Sequence, residues 1–303
     1  MNAIETVKLS RRYGPREVVH PLTLTVPAGS VFGYLGPNGA GKTTTLRLLS
    51  GVLAPSGGTG TVAGASLSRP DDVKARIGYA NQAASVYPDL TVEENLRFKA
   101  ALSLGAREVQ RAVEDTLDRL GLGAWRRTLA ARLSGGWRQR LCIGTAIVHS
   151  PQVLFLDEPT AGLDPLARRE LWDVIYALTA RGTTVFVTTH YMDEAERCQQ
   201  LALIASGTIL ARGTPHELRA SLGGVRFTLR GPDLPELLRA ARAAPGVSGA
   251  WIIGDEVRVT APDASPGAAL RALGTAQEVP ATLEDVFVAY ASALPARPGE
   301  ARA

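Results

Sequence analysis

The sequence predicts an α/β fold, and the evidence is three short apolar runs that each lead into polar residues. The runs are Val31–Leu35, Val153–Leu156 and Thr184–Thr189. Each has the length and composition of a buried strand. Ligands of open α/β sheets bind at the carboxyl ends of the strands. The sequence therefore predicts a ligand site where these strands end.

Length and composition indicate an ordinary globular protein. The 303 residues suffice for one large or two ordinary domains, and 45% are hydrophobic and 20% charged. No apolar run approaches the roughly 18 residues of a membrane span. The first residues lack the basic and long apolar parts of a signal peptide, so we expect a cytoplasmic protein. The basic residues behind the net charge of +4 are scattered among acids, which favours a solvated surface over nucleic-acid binding.

The first run continues into a phosphate-binding loop. The stretch contains the pattern G-x-x-x-x-G-K-[ST] and consists of Gly36, Pro37, Asn38, Gly39, Ala40, Gly41, Lys42, Thr43 and Thr44. Glycines let backbone N–H groups converge on a phosphate, and the helical pattern that follows adds the favourable dipole of a helix N-terminus. Lys42 is expected to reach the β- and γ-phosphates, and the Thr43 hydroxyl to ligate Mg²⁺. A glycine-rich turn without a ligand, the alternative, does not explain this Lys-Thr pair.

The second and third runs end in residues suited to metal binding and acid–base chemistry. Asp157 is predicted to hold magnesium, and Glu158 to polarise an attacking water. Both acids at the end of an apolar strand are poorly explained as surface caps. His190 follows the third run, where it can contact a γ-phosphate, although a lone histidine is more often structural.

A second anion site is predicted at the start of a helix near the middle of the chain. Ser134 is the expected helix cap, and Gly135 and Gly136 leave backbone N–H groups bare at the positive end of the dipole. A plain cap does not need two glycines in the first helical turn, where each costs about 1 kcal/mol relative to alanine once inside a helix.

Several other segments have weaker or purely structural patterns. Tyr13 can stack on a base, although alone it would more often be a packing residue, and Gln82 is by itself only a loop amide at the end of a strand. Before the loop, Val18-Val19 and Leu22–Val26 are predicted to form separate short strands. The capping box Thr91–Glu94 predicts a helix within an inserted helical segment of about residues 83–150.

The pattern changes from Gly223 onward. Strands are predicted at Val225–Arg230, Ala250–Ile253 and Val257–Thr260, and helices at Leu234–Ala243, Ala268–Leu273 and after Thr282. We therefore expect one domain over residues 1–222 and a small α+β domain over residues 223–303. We expect the second domain to assist dimerisation or regulation.

Together these motifs resemble those of the ATP-binding cassette (ABC) family, specifically the nucleotide-binding subunit of a transporter. The resemblance covers about Ile4 to Leu218, and the motifs occur in the family's order. It implies a P-loop NTPase fold with a RecA-like core, an antiparallel β subdomain and an inserted helical subdomain. The signature-like Leu133–Trp137 is decisive, because kinases and GTPases lack it.

The resemblance implies a role for each motif residue. Tyr13 corresponds to the adenine-stacking aromatic, Gly36 to Thr44 to the Walker A loop, and Gln82 to the glutamine that senses magnesium and the attacking water. Ser134, Gly135 and Gly136 correspond to the signature that covers ATP. Asp157 and Glu158 correspond to the Walker B pair, Asp164 to the D-loop aspartate, and His190 to the switch histidine.

The resemblance also implies partners. Cassettes of this family pair head to tail, so we expect a dimer with a second copy or a related cassette that binds ATP and Mg²⁺ at two shared sites. A separate integral membrane permease is the expected partner, which places the chain on the inner face of the cell membrane. The tail resembles cassettes of drug, lipid and polysaccharide exporters. The alternatives are a cassette ATPase acting on ribosomes or DNA, and a non-hydrolysing regulatory subunit, which would be expected to lack Glu158 or His190.

Overall fold

The computed structural model describes residues 1–81 and 86–292, and the chain divides into two compact units. The first unit is Met1–Arg212 and the second is Gly213–Ala303. The helix Pro215–Ser221 belongs to the second unit and precedes the boundary at residue 222 that the sequence indicates. Within the described ranges, no helix combines the length and the apolar character that crossing a membrane requires.

The first unit contains strands β1 to β10 and helices α1 to α7. The strands are β1 (Asn2–Tyr13), β2 (Arg16–Pro27), β3 (Val31–Leu35), β4 (Gly57–Val62), β5 (Ala65–Ser66), β6 (Ile77–Ala80), β7 (Val153–Asp157), β8 (Thr184–Thr189), β9 (Gln200–Ala205) and β10 (Thr208–Gly213). The helices are α1 (Lys42–Leu49), α2 (Pro70–Lys74), α3 (Val92–Ala101), α4 (Ala106–Arg119), α5 (Gly135–Ile147), α6 (Pro165–Ala180) and α7 (Met192–Ala195).

The central sheet has the strand order β10-β9-β3-β8-β7-β6. The pairs that join β9, β3, β8, β7 and β6 are all parallel, so β3, β7 and β8 end at the same edge of the sheet. The three runs predicted as strands are confirmed, two of them with the predicted bounds. Strand order alone therefore places the residues after these strands side by side.

Each face of this sheet is buried against a different layer. Leu154 and Leu156 pack with helices α3 to α6, whereas Val153 and Phe155 pack with α1 and the antiparallel sheet. Successive side chains of a strand point to opposite faces, which explains why the run of apolar residues is unbroken. Two hydrophobic layers thus hold the strand ends in place.

The antiparallel sheet has the order β2-β1-β4-β5, and it corrects one prediction. Val18-Val19 and Leu22–Val26 lie on the single strand β2, paired with β1 along its length. The register shifts between the pairs Leu9↔Leu22 and Arg11↔Val19, on either side of Pro21. Proline has no N–H for the ladder and is tolerated at such irregularities, so the broken alternation marks a shift in register and not the end of a strand.

The helical segment between β6 and β7 begins with the predicted capping box. The Thr91 side chain accepts from Glu94 N–H, and the Glu94 side chain accepts from Thr91 N–H. The buried Asn95 side chain donates to the carbonyls of Tyr87 and Leu90 and accepts from Tyr87 N–H. This amide therefore holds the turn that leads into α3.

The second unit contains a four-stranded antiparallel sheet with helices. Its elements are α8 (Pro215–Ser221), β11 (Val225–Arg230), α9 (Leu234–Ala243), β12 (Gly249–Ile253), β13 (Glu256–Ala261), α10 (Gly267–Leu273), β14 (Thr275–Val279) and α11 (Leu283–Ser292). The order β12-β13-β11-β14 with the sequence βαββαβ is a split βαβ arrangement. The sequence did not predict β14, which lacks a clear apolar alternation and is ordered by its pairing with β11.

Candidate nucleotide-binding site

The P-loop joins the end of β3 to α1, and close contacts fix its backbone. Gly36 N–H donates to Thr189 O at 3.2 Å. A Cβ atom at Gly36 would lie 2.3 Å from Ile204 O, so only glycine fits there. Gly41 has a φ of 99° immediately before Lys42 begins α1. Glycine thus occupies positions that the backbone geometry requires, and the N-terminus of α1 follows the loop directly.

The apex of the loop is accessible and its second half is packed. Pro37, Asn38 and Gly39 are exposed, whereas Ala40 is buried and its N–H donates to Pro37 O at 3.2 Å. Thr43 and Thr44 are half-buried in the first turn of α1. The loop therefore presents its apex to solvent while its second half is anchored in the fold.

Lys42 connects the loop to the acid that follows β7. Its side chain is only 5% exposed, and Nζ donates to Gly36 O at 2.8 Å and Pro37 O at 3.2 Å. The same Nζ lies 3.1 Å from Glu158 Oε1, and Glu158 Oε2 lies 3.2 Å from His190 Nδ1. The structure thus brings together three residues that the sequence predicted from three separate motifs.

Thr188 orients both acids, and sequence reasoning missed it. Its buried hydroxyl donates to Asp157 Oδ1 at 2.6 Å and accepts from Glu158 N–H at 3.1 Å. Glu158 N–H also donates to Thr188 O, and Glu158 has a φ of 49°, an uncommon left-handed conformation for a non-glycine residue. The signal in the sequence that could have identified Thr188 is its position as a polar residue inside an apolar strand.

The donors near Asp157 suit magnesium. Mg²⁺ prefers oxygen ligands and is usually held by one or two carboxylates together with substrate phosphates. Asp157 supplies a carboxylate that is 7% exposed, and Thr43 supplies a half-buried hydroxyl. Among the described residues, the second Asp157 oxygen has a single long contact, at 3.5 Å, from the Tyr79 hydroxyl. Burial, followed by the Asp157 charge, raises the pKa of Tyr79 to about 12, so that hydroxyl stays protonated. These residues fit the ion.

Glu194 is a second residue that sequence reasoning missed. It is completely buried, and its carboxylate accepts from the hydroxyls of Thr160 and Thr189, the latter at 2.6 Å. Arg168 Nε lies 3.7 Å from it. The Thr189 oxygen accepts in turn from Tyr191 N–H at 3.0 Å. This network links the segment after β7 to the backbone on both sides of His190.

The signature-like segment begins α5, and the structure confirms the predicted cap in position but not in hydrogen bonding. Ser134 occupies the N-cap position, but its side chain makes no capping hydrogen bond. Ser134 and Gly135 are exposed. A Cβ atom at Gly136 would lie 3.0 Å from Ala167 Cβ, so this glycine allows close packing of α5 against α6. The N-terminus of α5 therefore has accessible backbone N–H groups, and the Ser134 hydroxyl makes no capping hydrogen bond there.

Three further predicted residues stand apart from the Lys42 cluster. Tyr13 is 46% exposed with the Arg11 guanidinium 4.6 Å from its ring centre. Asp164 caps α6 by accepting from two backbone N–H groups. Across residues 1–81 and 86–292, no hydrogen bond or ion pair joins Tyr13, Ser134 or Asp164 to that cluster. Gln82 lies outside the described residues.

Comparison with known proteins decides the family. Residues 19–161 match the model of the ABC transporter family. The chain is 41% identical over 293 residues to Nod factor export ATP-binding protein I of Paraburkholderia xenovorans (strain LB400), covering 94% of this chain and 96% of that protein. The chain belongs to the ABC transporter family.

Two further ABC proteins support the assignment. Daunorubicin/doxorubicin resistance ATP-binding protein DrrA of Streptomyces peucetius is 46% identical over 244 residues, which cover 79% of this chain and 74% of that protein. The structure of cbiO1 from Clostridium perfringens, part of the ABC transporter complex cbiONQ, superimposes with a TM-score of 0.68 at 26% identity, covering 73% and 91% of the two chains. The predicted P-loop NTPase fold is confirmed. The chain is an ATP-binding, ATP-hydrolysing subunit of the exporter type.

Proposed function

We propose that this ABC ATPase pairs head to tail with a second copy or a related cassette and drives export through a separate membrane permease. The catalytic part of this proposal is based on the position of the Glu158 carboxylate, whose oxygens lie within 3.2 Å of Lys42 Nζ and His190 Nδ1. Export is supported by the names of the relatives, which describe drug resistance and Nod factor export.

ATP binding rests on the loop and on Lys42. The backbone N–H groups at the start of α1 receive the phosphates, and the Lys42 ammonium supplies a point charge for the β- and γ-phosphates. The ring of Tyr13 is accessible for stacking on adenine. Thr43, Asp157 and Gln82 are the proposed magnesium ligands. Magnesium, when bound, neutralises charge that develops on the phosphates.

Hydrolysis rests on Glu158, His190 and Gln82. The Glu158 carboxylate orients a water and accepts its proton, and His190 contacts the γ-phosphate. Because Glu158 N–H is fixed by both oxygens of Thr188, the acid is held at the end of β7 and not on a free loop. Preorganised groups of this kind stabilise a transition state without having to reorganise during the reaction.

The other half of each ATP site is proposed to come from the partner. One P-loop covers only one side of a triphosphate, and this chain has one P-loop and one signature. The N–H groups of the exposed Ser134 and Gly135 and of the half-buried Gly136, at the start of α5, are suited to cover the ATP of the partner, and Asp164 is proposed to lie in the same interface. Both sites would therefore open and close with the dimer.

The helical segment is the proposed contact with the permease. The rings of Tyr87 and Phe98 pack edge to face, 5.0 Å apart, although they are 46% and 41% exposed. Exposed, preordered aromatic side chains are typical of protein interfaces. Through this contact the chain would be held on the inner face of the cell membrane. The relatives reported above are all ATP-binding or transport proteins, which gives no support to the alternative on ribosomes or DNA.

The test of the shared catalytic site is the substitution Glu158→Gln. We expect the variant to bind ATP, to hydrolyse it at least a hundredfold more slowly, of the order that loss of a general base produces, and to accumulate as a dimer with ATP. Turnover is measured by phosphate release and dimerisation by light scattering. The exposed Glu284→Gln serves as a control with ordinary turnover. Undiminished turnover in Glu158→Gln would remove Glu158 as the base.

The test of the transport role is co-purification. A membrane protein with several spans is expected to come down with the chain from detergent-solubilised membranes, and the double substitution Tyr87→Ala, Phe98→Ala is expected to release it while ATP binding persists. The exposed Val52→Ala is the control. Recovery of ribosomes or DNA in place of a membrane protein would contradict the proposal.

A further inference from the structure

The second unit contains a cavity of about 440 Å³ between one face of its sheet and α11. The side chains that matter for its chemistry are Arg226, Trp251 and Thr260 from the sheet and Asp285, Val288 and Ala289 from α11. The cavity lies entirely within the second unit, and none of its residues belongs to the nucleotide-binding site.

The cavity lies on the face of the sheet opposite the main hydrophobic core of this unit. Phe227 and Leu229 of β11 point into the core formed with α9 and α10. Arg226 alternates with them and therefore points to the other face, beside its cross-strand partner Thr260. An outward-facing arginine on a strand is normally solvated, but this one is only 7% exposed.

Across residues 1–81 and 86–292, the charge of Arg226 has no acidic partner. Its Nη1 donates to Leu222 O at 3.2 Å and Gly224 O at 3.0 Å, and its buried Nε has no hydrogen-bond partner. No carboxylate of the described residues lies within 4.0 Å of this guanidinium. A buried charge is costly unless it is paired, so a cation of this kind that lines a cavity indicates an anionic ligand.

Asp285 also lines the cavity, but it does not pair with Arg226, because its carboxylate already accepts hydrogen bonds from other groups. Asp285 Oδ2 accepts from Arg258 Nη2 at 2.8 Å and from Thr282 N–H at 2.7 Å. Arg258 and Asp285 are both largely buried, 12% and 4% exposed. The charges of Arg258 and Asp285 therefore compensate each other, and no acid in the described part of the chain compensates the charge of Arg226.

The rest of the lining is suited to an apolar body. Trp251 presents a half-buried ring, and Val288 and Ala289 are exposed on α11. Thr260 and Ser248 add hydroxyl groups at the edge. Ligand sites commonly combine an apolar lining with a few placed polar groups and have volumes of about 300–1,000 Å³.

We propose that this cavity binds a small organic anion, with its carboxylate, sulfonate or phosphate at Arg226 and a flat apolar body against Trp251 and α11. The site is separate from ATP hydrolysis and gives the second unit a ligand-binding role.

The test uses the full-length chain with 1-anilinonaphthalene-8-sulfonate, an anion that has a flat naphthalene ring system, as the probe. Isothermal titration in the presence of excess ATP is expected to show saturable binding of one probe per chain. Arg226→Met keeps the length of the side chain but removes the charge, and is expected to weaken binding about tenfold or more. The exposed Arg239→Met, on α9, is the control and is expected to bind as the wild type does.

Two further measurements separate the anion site from nonspecific apolar binding. The neutral analogue N-phenyl-1-naphthylamine is expected to show no dependence on Arg226. Ala289→Trp, which fills the cavity from an exposed helix position and leaves Arg226 in place, is expected to abolish binding of the anion. The proposal is overturned if the wild type shows no saturable binding, or if Ala289→Trp binds the anion as well as the wild type does. It is also overturned if the Arg226→Met variant folds and binds the anion as well as the wild type does.

Discussion

The Lys42 ammonium lies 3.1 Å from the Glu158 carboxylate, so the residue proposed to bind phosphate and the proposed base form an ion pair. Lys42 is almost fully buried and Glu158 is 17% exposed, and a pair so shielded from water interacts more strongly than one on the surface. ATP phosphates would bring further negative charge to the same ammonium and compete with Glu158 for it. We infer that nucleotide binding frees the base at the moment when it is needed.

The first prediction concerns Lys42→Met. The variant is expected to lose about tenfold to a hundredfold in ATP affinity, because a hydrogen bond to a charged group contributes about 1.5–3 kcal/mol. Titration with a fluorescent ATP analogue measures the change. Lys74→Met, at an exposed lysine paired with Asp71, is the control with ordinary affinity. Equal affinity in Lys42→Met and the wild type would show that the ammonium does not reach the phosphates.

The core of the site was predictable because its signals are local in sequence. A P-loop, an apolar strand that ends in two acids, and a strand that ends in histidine are each visible within ten residues or so, and parallel strand order then places them at one edge. The capping box before α3 was predictable for the same reason.

The residues that support the site could not be predicted in this way. Thr188 and Glu194 are of common types, and their roles depend on which strands and helices surround them in the fold. Ser134 occupies the predicted N-cap position, but it makes no capping hydrogen bond, because the sequence does not fix the orientation of its side chain. Strand β14 depends on pairing with β11, which has no local signal.

The second prediction concerns Thr188→Val, which keeps the shape of the side chain and removes its hydroxyl. We expect a loss of about 1–3 kcal/mol in the free energy of unfolding, because Glu158 N–H and Asp157 each lose a partner. We also expect a several-fold increase in the Mg²⁺ concentration needed for half-maximal ATPase activity, because groups that orient a metal ligand tune metal affinity.

Thr184→Val is the matched control for Thr188→Val. Thr184 is buried at the opposite end of the same strand, and among the described residues its hydroxyl accepts from Gly29 N–H alone. It is expected to lose stability without a change in Mg²⁺ dependence. Equal Mg²⁺ dependence in both variants would leave Thr188 with a structural role alone.

The third prediction concerns Glu194. Glu194→Ala leaves the Thr160 and Thr189 hydroxyls without their acceptor and removes one of the two acids beside Arg168, and we expect a loss of about 3 kcal/mol in the free energy of unfolding by urea. Glu194→Gln keeps an acceptor oxygen and should lose less. In both variants kcat should fall more than KM changes, because the network holds the backbone around His190. The more exposed Asp193→Asn should leave kcat unchanged, and an unchanged kcat in Glu194→Gln would confine Glu194 to stability.

The fourth prediction is a pH dependence that originates at His149. A nitrogen of this ring lies 3.0 Å from Ile77 O at the start of β6, and since a carbonyl only accepts, that nitrogen carries the proton. Burial lowers the pKa of His149 below its ordinary value of 6.5, against the smaller opposing effect of this hydrogen bond. Below pH 6.5 the unfolded chain therefore binds more protons at this site than the folded chain does, and the free energy of unfolding decreases as the pH falls.

The measurement is urea unfolding of the wild type and His149→Gln at about pH 7.5 and about pH 5. Glutamine retains an N–H donor for Ile77 O but does not titrate, so the variant should lose less stability than the wild type between the two values. His216→Gln, at an exposed histidine, is the control and should follow the wild type. Parallel loss of stability in His149→Gln and the wild type would show that burial of this ring contributes nothing to the acid sensitivity of the fold.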